Sequence, residues 1–273
     1  MHRRTFLAAL GLFLALCLPG GAQQPRSDRG TPPPVALKVL MIGNSYSAQT
    51  RAMFQGFVLG DSSITMTFAT ATHGGWTTLD HYANRLLPKY DNNTFSLIDK
   101  LRQEDWDVIL VQEQSTLPSE AFLDLPGART RLQSGWLDLS ALIQLEAPNA
   151  LIRPYQTWPR AEGHAYLQTY FQNEPLQMHL ATSRVYALIS NAIGGDLIPV
   201  GSAFTYSIQQ EPTIALHSAD GSHPSDAGKF LAGAVLYAYV FDRSPYQSTF
   251  SPGGDPGTEA WLLQVADRIW GIL

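Results

Sequence analysis

Lys38-Val39-Leu40-Met41-Ile42-Gly43-Asn44-Ser45-Tyr46-Ser47 carries a short apolar run into a glycine, a small polar residue and a serine. The near-continuous apolar character of Ala36–Ile42 predicts a central parallel strand, covered on both faces. The residues after it, to about Leu59, read as a helix. A serine at such a strand-to-helix turn has its hydroxyl exposed at a sheet end, with helix-start N–H groups beside it. That setting suits a nucleophile. It equally suits a helix cap, and this stretch alone leaves both readings of Ser45 open.

Outward from this point the chain alternates. Ser63–Thr70 is rich in β-formers and predicts a second strand, leading into His73-Gly74-Gly75-Trp76-Thr77-Thr78. Helices are expected at Thr78–Leu87 and, more weakly, Thr94–Glu104. Trp106–Val111 predicts a third strand, which ends in Gln112-Glu113-Gln114-Ser115. An irregular loop should cover Thr116–Pro126. A long helix from Ala128 to Leu145 and a short strand at Ala150–Tyr155 follow, then an outgoing loop, Gln156–Arg160. Helix is expected over Gly163–Asn191, interrupted near Pro175. Leu197–Val200 reads as a fifth strand, 202–219 as loop or short helix, and Ser225–Phe241 and Glu259–Leu273 as helices. About five such alternations predict a three-layer α/β/α sandwich around a mainly parallel sheet of roughly five strands. Ligands of such sheets lie in the crevice at the C-terminal strand ends. Four of the loops expected there are unusually polar, and a fifth polar cluster, Asp220-Gly221-Ser222-His223-Pro224, precedes a helix.

Composition narrows the class. The 273 residues are 45% hydrophobic and 15% charged, with a net charge of −5, a globular balance. Arg3-Arg4 followed by the apolar run Phe6–Leu18 and by Gly20-Gly21-Ala22 predicts a cleaved signal peptide over 1–22. Export to a periplasmic or extracellular space follows, by the general or the twin-arginine route. The apolar run is too short for a membrane span. Residues 23–35 read as a disordered leader, and 36–273 as a single domain. Cys17 is the sole cysteine and lies in the segment to be removed, so the mature chain has neither disulfide nor thiol chemistry. Loss of Arg3 and Arg4 leaves 16 basic against 23 acidic residues, about −7. An acidic chain without a basic run is poorly suited to nucleic acid.

Asp220 and His223 sit three residues apart in a glycine-containing turn, close enough for the carboxylate to fix the imidazole's tautomer. In isolation the favoured reading of the pair is that Asp220 caps the turn and His223 is a surface residue before Pro224. The combination of blocks resembles the SGNH (GDSL-type) hydrolase superfamily over about Ala36–Phe241. Gly43-Asn44-Ser45 is similar to its first block, with Asn44 where aspartate is usual. Gly75-Trp76-Thr77 is similar to the second, and Asp220-Gly221-Ser222-His223-Pro224 to the last. The third block departs from the usual Gly-x-Asn-Asp: here Gln112-Glu113-Gln114-Ser115 resembles the stretch of an exported subgroup.

The resemblance implies ester hydrolysis through an acyl-enzyme, without a cofactor or metal. It assigns Ser45 as nucleophile, His223 as general base and acid, and Asp220 as its partner. The oxyanion hole would use the Ser45 and Gly75 N–H groups and the Gln114 amide, with Gln112 as fallback. Glycine at 75 is expected because a close amide donor tolerates no bulky Cβ. Trp76 and Trp158 are candidates to stack on a sugar ring, although packing is the commoner role of an aromatic in such a loop. Glu113 is a candidate to bind a sugar hydroxyl or to pair with Arg160. The expected partner is a small-molecule or glycan ester, with a carbohydrate O-acetyl group favoured over lipid esters or acyl transfer. A non-catalytic carbohydrate-binding protein on the same fold is the competing class.

Overall fold

A computed structural model describes residues 35–271. The signal segment and all but the last residue of the expected leader lie outside the described residues. That last residue, Val35, belongs to the first strand. Strand β1 (Val35–Gly43) runs into α1 (Ser45–Leu59), followed by β2 (Ile64–Thr72), α2 (Thr78–Ala83) and α3 (Leu97–Arg102). Strand β3 (Val108–Val111) leads to α4 (Leu117–Phe122) and α5 (Ala128–Glu146), and β4 (Leu151–Pro154) to α6 (Ala165–Tyr170) and α7 (Pro175–Ile193). Helices α8 (Val200–Gln210), α9 (Asp226–Phe241) and α10 (Pro256–Gly271) complete the described chain.

The strands pair in parallel in the order β2-β1-β3-β4. Alternate residues of β1 and β3 feed two separate cores, which is why these strands read as continuous apolar runs. Val39, Met41, Val108 and Leu110 pack with α1, α8, α9 and α10 on one face. Leu40, Ile42, Ile109 and Val111 pack with α2, α3, α5 and α7 on the other. The result is the expected three-layer α/β/α sandwich.

The expected fifth strand, Leu197–Val200, is reduced to one parallel bridge between Ile198 and Tyr155. Pro199 has no N–H to continue the ladder, and Val200 already begins α8. Another departure is α4, inside the stretch read as irregular, where Pro118 lies in the first turn and is tolerated there.

The order places the switch point between β1 and β3, where the chain reverses its direction of growth across the sheet. Ligand crevices form at such points. The turn carrying Ser45 leaves β1 here, and Gln112–Gln114 leaves β3 beside it. The two exits are tied together, since Gln112 N–H donates to the Ile42 carbonyl at 2.9 Å.

Candidate active site

Ser45 is the first residue of α1, and its cap is Asn44. The Asn44 Oδ1 accepts from Tyr46 N–H at 3.2 Å, and Asn44 Nδ2 donates to the Trp76 carbonyl at 3.1 Å. With the capping role taken by Asn44, the Ser45 hydroxyl is left to face His223, whose Nε2 lies 2.9 Å away. His223 Nδ1 in turn lies 2.5 Å from Asp220 Oδ2.

Asp220 performs both functions that its spacing allowed. Its Oδ1 accepts from Ser218 Oγ at 2.8 Å and from the N–H groups of Ser222 and His223 at 2.9 Å, which holds the turn. Its Oδ2 meets the imidazole. The hydrogen bond from His223, aided by those backbone donors, keeps the carboxyl well below the usual carboxylate range. An ionised Asp220 holds the proton on Nδ1, leaving Nε2 with a lone pair toward Ser45.

The turn rests on a framework that the sequence did not announce. Tyr46, Trp158 and Phe204 form a stack with successive ring centroids 4.3 Å apart. Trp158 Nε1 donates to the Ser222 carbonyl at 3.0 Å, and the Tyr46 hydroxyl lies 2.9 Å from Ser222 Oγ. Ala161 N–H donates to the Gly221 carbonyl at 2.8 Å. Arg160 is buried, with its guanidinium on the Tyr46 hydroxyl and on Ser115 Oγ. Trp158 is therefore not a sugar platform. It is 0% exposed, sandwiched between rings from α1 and α8, and carries the histidine turn.

Gln112 likewise departs from its expected fallback role. Its Oε1 accepts three bonds: from Asn44 N–H at 3.1 Å, Ser47 N–H at 3.3 Å and Ser47 Oγ at 2.9 Å. Its Nε2 donates to the Glu113 carbonyl. The residue is fully buried and its amide is engaged at both ends, which commits it to the turn and not to an oxyanion. Gln112 instead holds the turn on both sides of Ser45. Gly43 is required by the same packing, because a Cβ there would overlap Ser47 Oγ and lie 2.8 Å from Gln112 Oε1. His81 supports the strand end from the opposite face, with Nε2 donating to the Gly43 carbonyl at 3.0 Å and Nδ1 accepting from Tyr90 Oη at 2.7 Å. Burial lowers its pKa to about 4, so it is neutral.

Gln114 is arranged differently. Its Oε1 accepts from Thr116 N–H at 2.8 Å and Leu117 N–H at 2.9 Å, which fixes the amide plane. Its Nε2 has no hydrogen-bond partner among the described residues, and neither do the N–H groups of Ser45 and Gly75. Gly75 and Gln114 border the same pocket. The reason for glycine at 75 is its backbone, at φ +73°; a Cβ there would meet nothing within 4 Å. Trp76 is half-buried, stacked on His73 with centroids 3.9 Å apart, and its ring packs toward His81.

Glu113 neither faces the crevice nor pairs with Arg160. It is fully buried, and its carboxyl accepts from Thr78 N–H at 3.1 Å, Thr78 Oγ1 at 2.6 Å and Gln114 N–H at 2.7 Å. It ties the start of α2 to the residue bordering the pocket. Burial raises its pKa to about 7, against these hydrogen bonds. Between the ordinary carboxyl value and pH 7 the native chain keeps a proton that the unfolded chain has released. Stability contributed by this group is therefore present at acid pH and lost as pH rises through 7. The difference in unfolding free energy between Glu113→Gln and wild type should shift in the variant's favour by up to about 3 kcal/mol from pH 4.5 to 8. Urea unfolding at several pH values measures it, and a pH-independent difference would contradict a buried titrating carboxyl.

Fold and site together define an α/β protein with a Ser–His–Asp hydrogen-bonded chain at the C-terminal edge of a parallel sheet, the arrangement of serine hydrolases. Comparison with solved structures agrees. A DUF4886 family protein from Bacteroides uniformis superposes with a TM-score of 0.74 at 21% identity, covering 86% of this chain and 94% of its own. A candidate SGNH hydrolase from Slackia heliotrinireducens gives 0.58 at 26% identity, over 76% of this chain and 100% of its own. A candidate GDSL-like lipase from Parabacteroides merdae gives 0.57 at 12% identity, over 77% and 98%. No protein-family model and no curated protein matches the sequence. The chain has the SGNH/GDSL-like hydrolase fold. Among the described residues no group of three or more His, Cys, Asp or Glu side chains could hold a metal ion, and no helix is long and apolar enough to cross a membrane.

Proposed function

We propose that this protein is an exported serine ester hydrolase, acting through an acyl-enzyme on O-acetylated carbohydrate. The observation that carries the reading is the continuous hydrogen-bonded chain from Ser45 Oγ through His223 to Asp220. His223 Nε2 removes the hydroxyl proton as Ser45 Oγ attacks the ester carbonyl. The N–H groups of Ser45 and Gly75 and the free Nε2 of Gln114 receive the oxyanion; one such donor is worth roughly a hundred- to a thousandfold in rate. The intermediate collapses, the alcohol leaves with the proton from His223, and acyl-Ser45 forms. Water then attacks this ester, giving its proton to His223, which passes it to Ser45 Oγ as that oxygen leaves, so the acid, the Ser45 hydroxyl and neutral His223 are restored.

Two features support a carbohydrate ester over a lipid ester. His223 and Asp220 are 34% and 50% exposed, so the site is open to a bulky, hydrated substrate. The pocket bordered by Gly75 and Gln114 carries no aliphatic or aromatic side chain. Export is supported by Arg3-Arg4 and the apolar run Phe6–Leu18.

A fluorophosphonate probe and p-nitrophenyl acetate test the reading together. Wild type should be labelled once, on Ser45, and should hydrolyse the ester. Ser45→Ala should take no label and lose at least about a thousandfold in kcat/KM while remaining folded by circular dichroism. Absence of hydrolysis of any short acyl ester by folded wild type would sink the proposal.

A further inference from the structure

A polar pocket of about 270 Å³ opens beside the loops that carry Gly75 and Gln114. We infer that it is the subsite for the alcohol half of the ester, that it takes a single neutral, hydroxyl-rich ring, and that Arg131 and Glu120 set the preference for that alcohol. The inference rests on the serine hydrolase reading and adds the part of the substrate that leaves.

Position is the first argument. Gly75 adjoins Trp76, whose carbonyl is bound by the Asn44 side chain next to the nucleophile. Gln114 lies two residues from Gln112, which holds the same turn. The pocket is thus bordered by both loops pinned to the Ser45 turn.

Size is the second. At about 270 Å³ it falls just short of the ~300 Å³ at which pockets accommodate whole drug-sized molecules. One ring fits better than a chain.

Chemistry is the third. Thr77 and Asp80 come from the start of α2, Thr116 and Glu120 from the start of α4, and Arg131 from α5. An acyl chain or lipid tail would find almost no apolar side chain to pack against there. Two carboxylates against one guanidinium leave a net negative charge, which disfavours an anionic headgroup. What suits the lining is a neutral ligand that both donates and accepts along its rim, as a sugar ring does.

The polar groups are also held in place before a ligand arrives. Asp80 Oδ2 accepts from Thr77 N–H at 2.9 Å and Thr77 Oγ1 at 2.7 Å, which leaves Oδ1 as a fixed acceptor. Glu120 Oε1 accepts from Thr116 Oγ1 at 2.6 Å, and its Oε2 accepts from Arg131 Nη2 at 3.3 Å. Arg131 has further N–H donors available in its fork. Groups ordered in advance lose less on binding.

Three acetates that differ only in the alcohol test this: 6-O-acetylglucose, ethyl acetate and octyl acetate. Wild type should prefer 6-O-acetylglucose over ethyl acetate by at least tenfold in kcat/KM. Arg131→Ala and Glu120→Gln should each reduce that preference by about tenfold, mainly through KM, as expected for losing a charge-assisted hydrogen bond. Arg131 is 52% exposed, so its variant should fold, and circular dichroism checks this. Hydrolysis with an unchanged preference in both variants, or with octyl acetate preferred by wild type, overturns the subsite assignment and leaves the hydrolase reading standing. Hydrolysis of none of the three acetates overturns the hydrolase reading, and this assignment with it.

Discussion

Replacing His223 by glutamine should lower kcat/KM for p-nitrophenyl acetate by about a thousandfold, within the range attributed to a positioned general base. The expectation follows from geometry. Nε2 is the nitrogen 2.9 Å from the Ser45 hydroxyl, and no other imidazole has a contact with that hydroxyl among the described residues. Glutamine offers an acceptor of similar reach but cannot take up the proton. The loss should fall on kcat, because imidazole acts in the transition state and not in holding the ester. Folding should change little, since the side chain is one-third exposed and the turn is held mainly by Asp220 Oδ1. The companion variant Asp220→Asn separates the two oxygens of that carboxylate. Asparagine keeps an acceptor for the Ser222 and His223 N–H groups, but offers an amide N–H where Oδ2 faces Nδ1. His223 then places its proton on Nε2, which is the wrong tautomer for accepting from Ser45. A folded Asp220→Asn variant should therefore fall by a comparable factor. Retention of more than a tenth of wild-type kcat/KM in His223→Gln would remove the imidazole from the chemistry. Because the Asp220 carboxyl is held well below the usual range, its protonation should produce no acid limb in the rate profile above about pH 4.

The fold was legible where a single local signal sufficed. The run Val39–Ile42 faces two cores at once, and a strand covered on both sides must be apolar throughout. The Asp220–His223 turn was legible because its carboxylate, glycine and imidazole all lie within four residues. What escaped reading depends on where a side chain turns once the chain has closed up. Trp158 leaves the sheet on a crevice loop, yet its ring is clamped between Tyr46 and Phe204, residues far away in sequence on α1 and α8. Gln112 and Gln114 are the same residue type two positions apart, so at the end of a strand their side chains leave in related directions. Only the donors brought by the starts of α1 and α4 distinguish an amide bonded at both ends from one bonded through its oxygen alone. Glu113 reads as a charge at a strand end, and Thr78, which binds it, arrives from the start of α2. The shortened fifth strand has a local cause in Pro199, but the apolar run Leu197–Val200 masked it.

The second large effect is expected at Gln112, a residue that touches no reacting atom in the proposed mechanism. Gln112→Leu is close in volume but removes the acceptor shared by Asn44 N–H, Ser47 N–H and Ser47 Oγ. Each of these donors is buried, and each unsatisfied donor costs about 1–3 kcal/mol. The variant should therefore lose about 3 kcal/mol or more, a fall in Tm of roughly 10 °C for a domain of this length. Activity should fall separately from stability. The three bonds straddle Ser45, and a displacement of the nucleophile by about 1 Å is enough for a hundredfold loss in rate. Gln114→Ala provides the contrast. It removes an unbonded amide donor from a residue that borders the pocket and a cap on Thr116 and Leu117 N–H, so about 1 kcal/mol of stability should go. Its rate loss should be a hundred- to a thousandfold in kcat. The two glutamines thus predict opposite balances: a large stability loss with a secondary rate loss at 112, and a small stability loss with a primary rate loss at 114. Thermal unfolding and steady-state kinetics on the same preparations measure both. A Gln112→Leu protein with wild-type Tm and kcat would show that the turn around Ser45 holds its shape without the shared acceptor. The position of the nucleophile would then have to be set by Asn44 and by the packing of Gly43 alone.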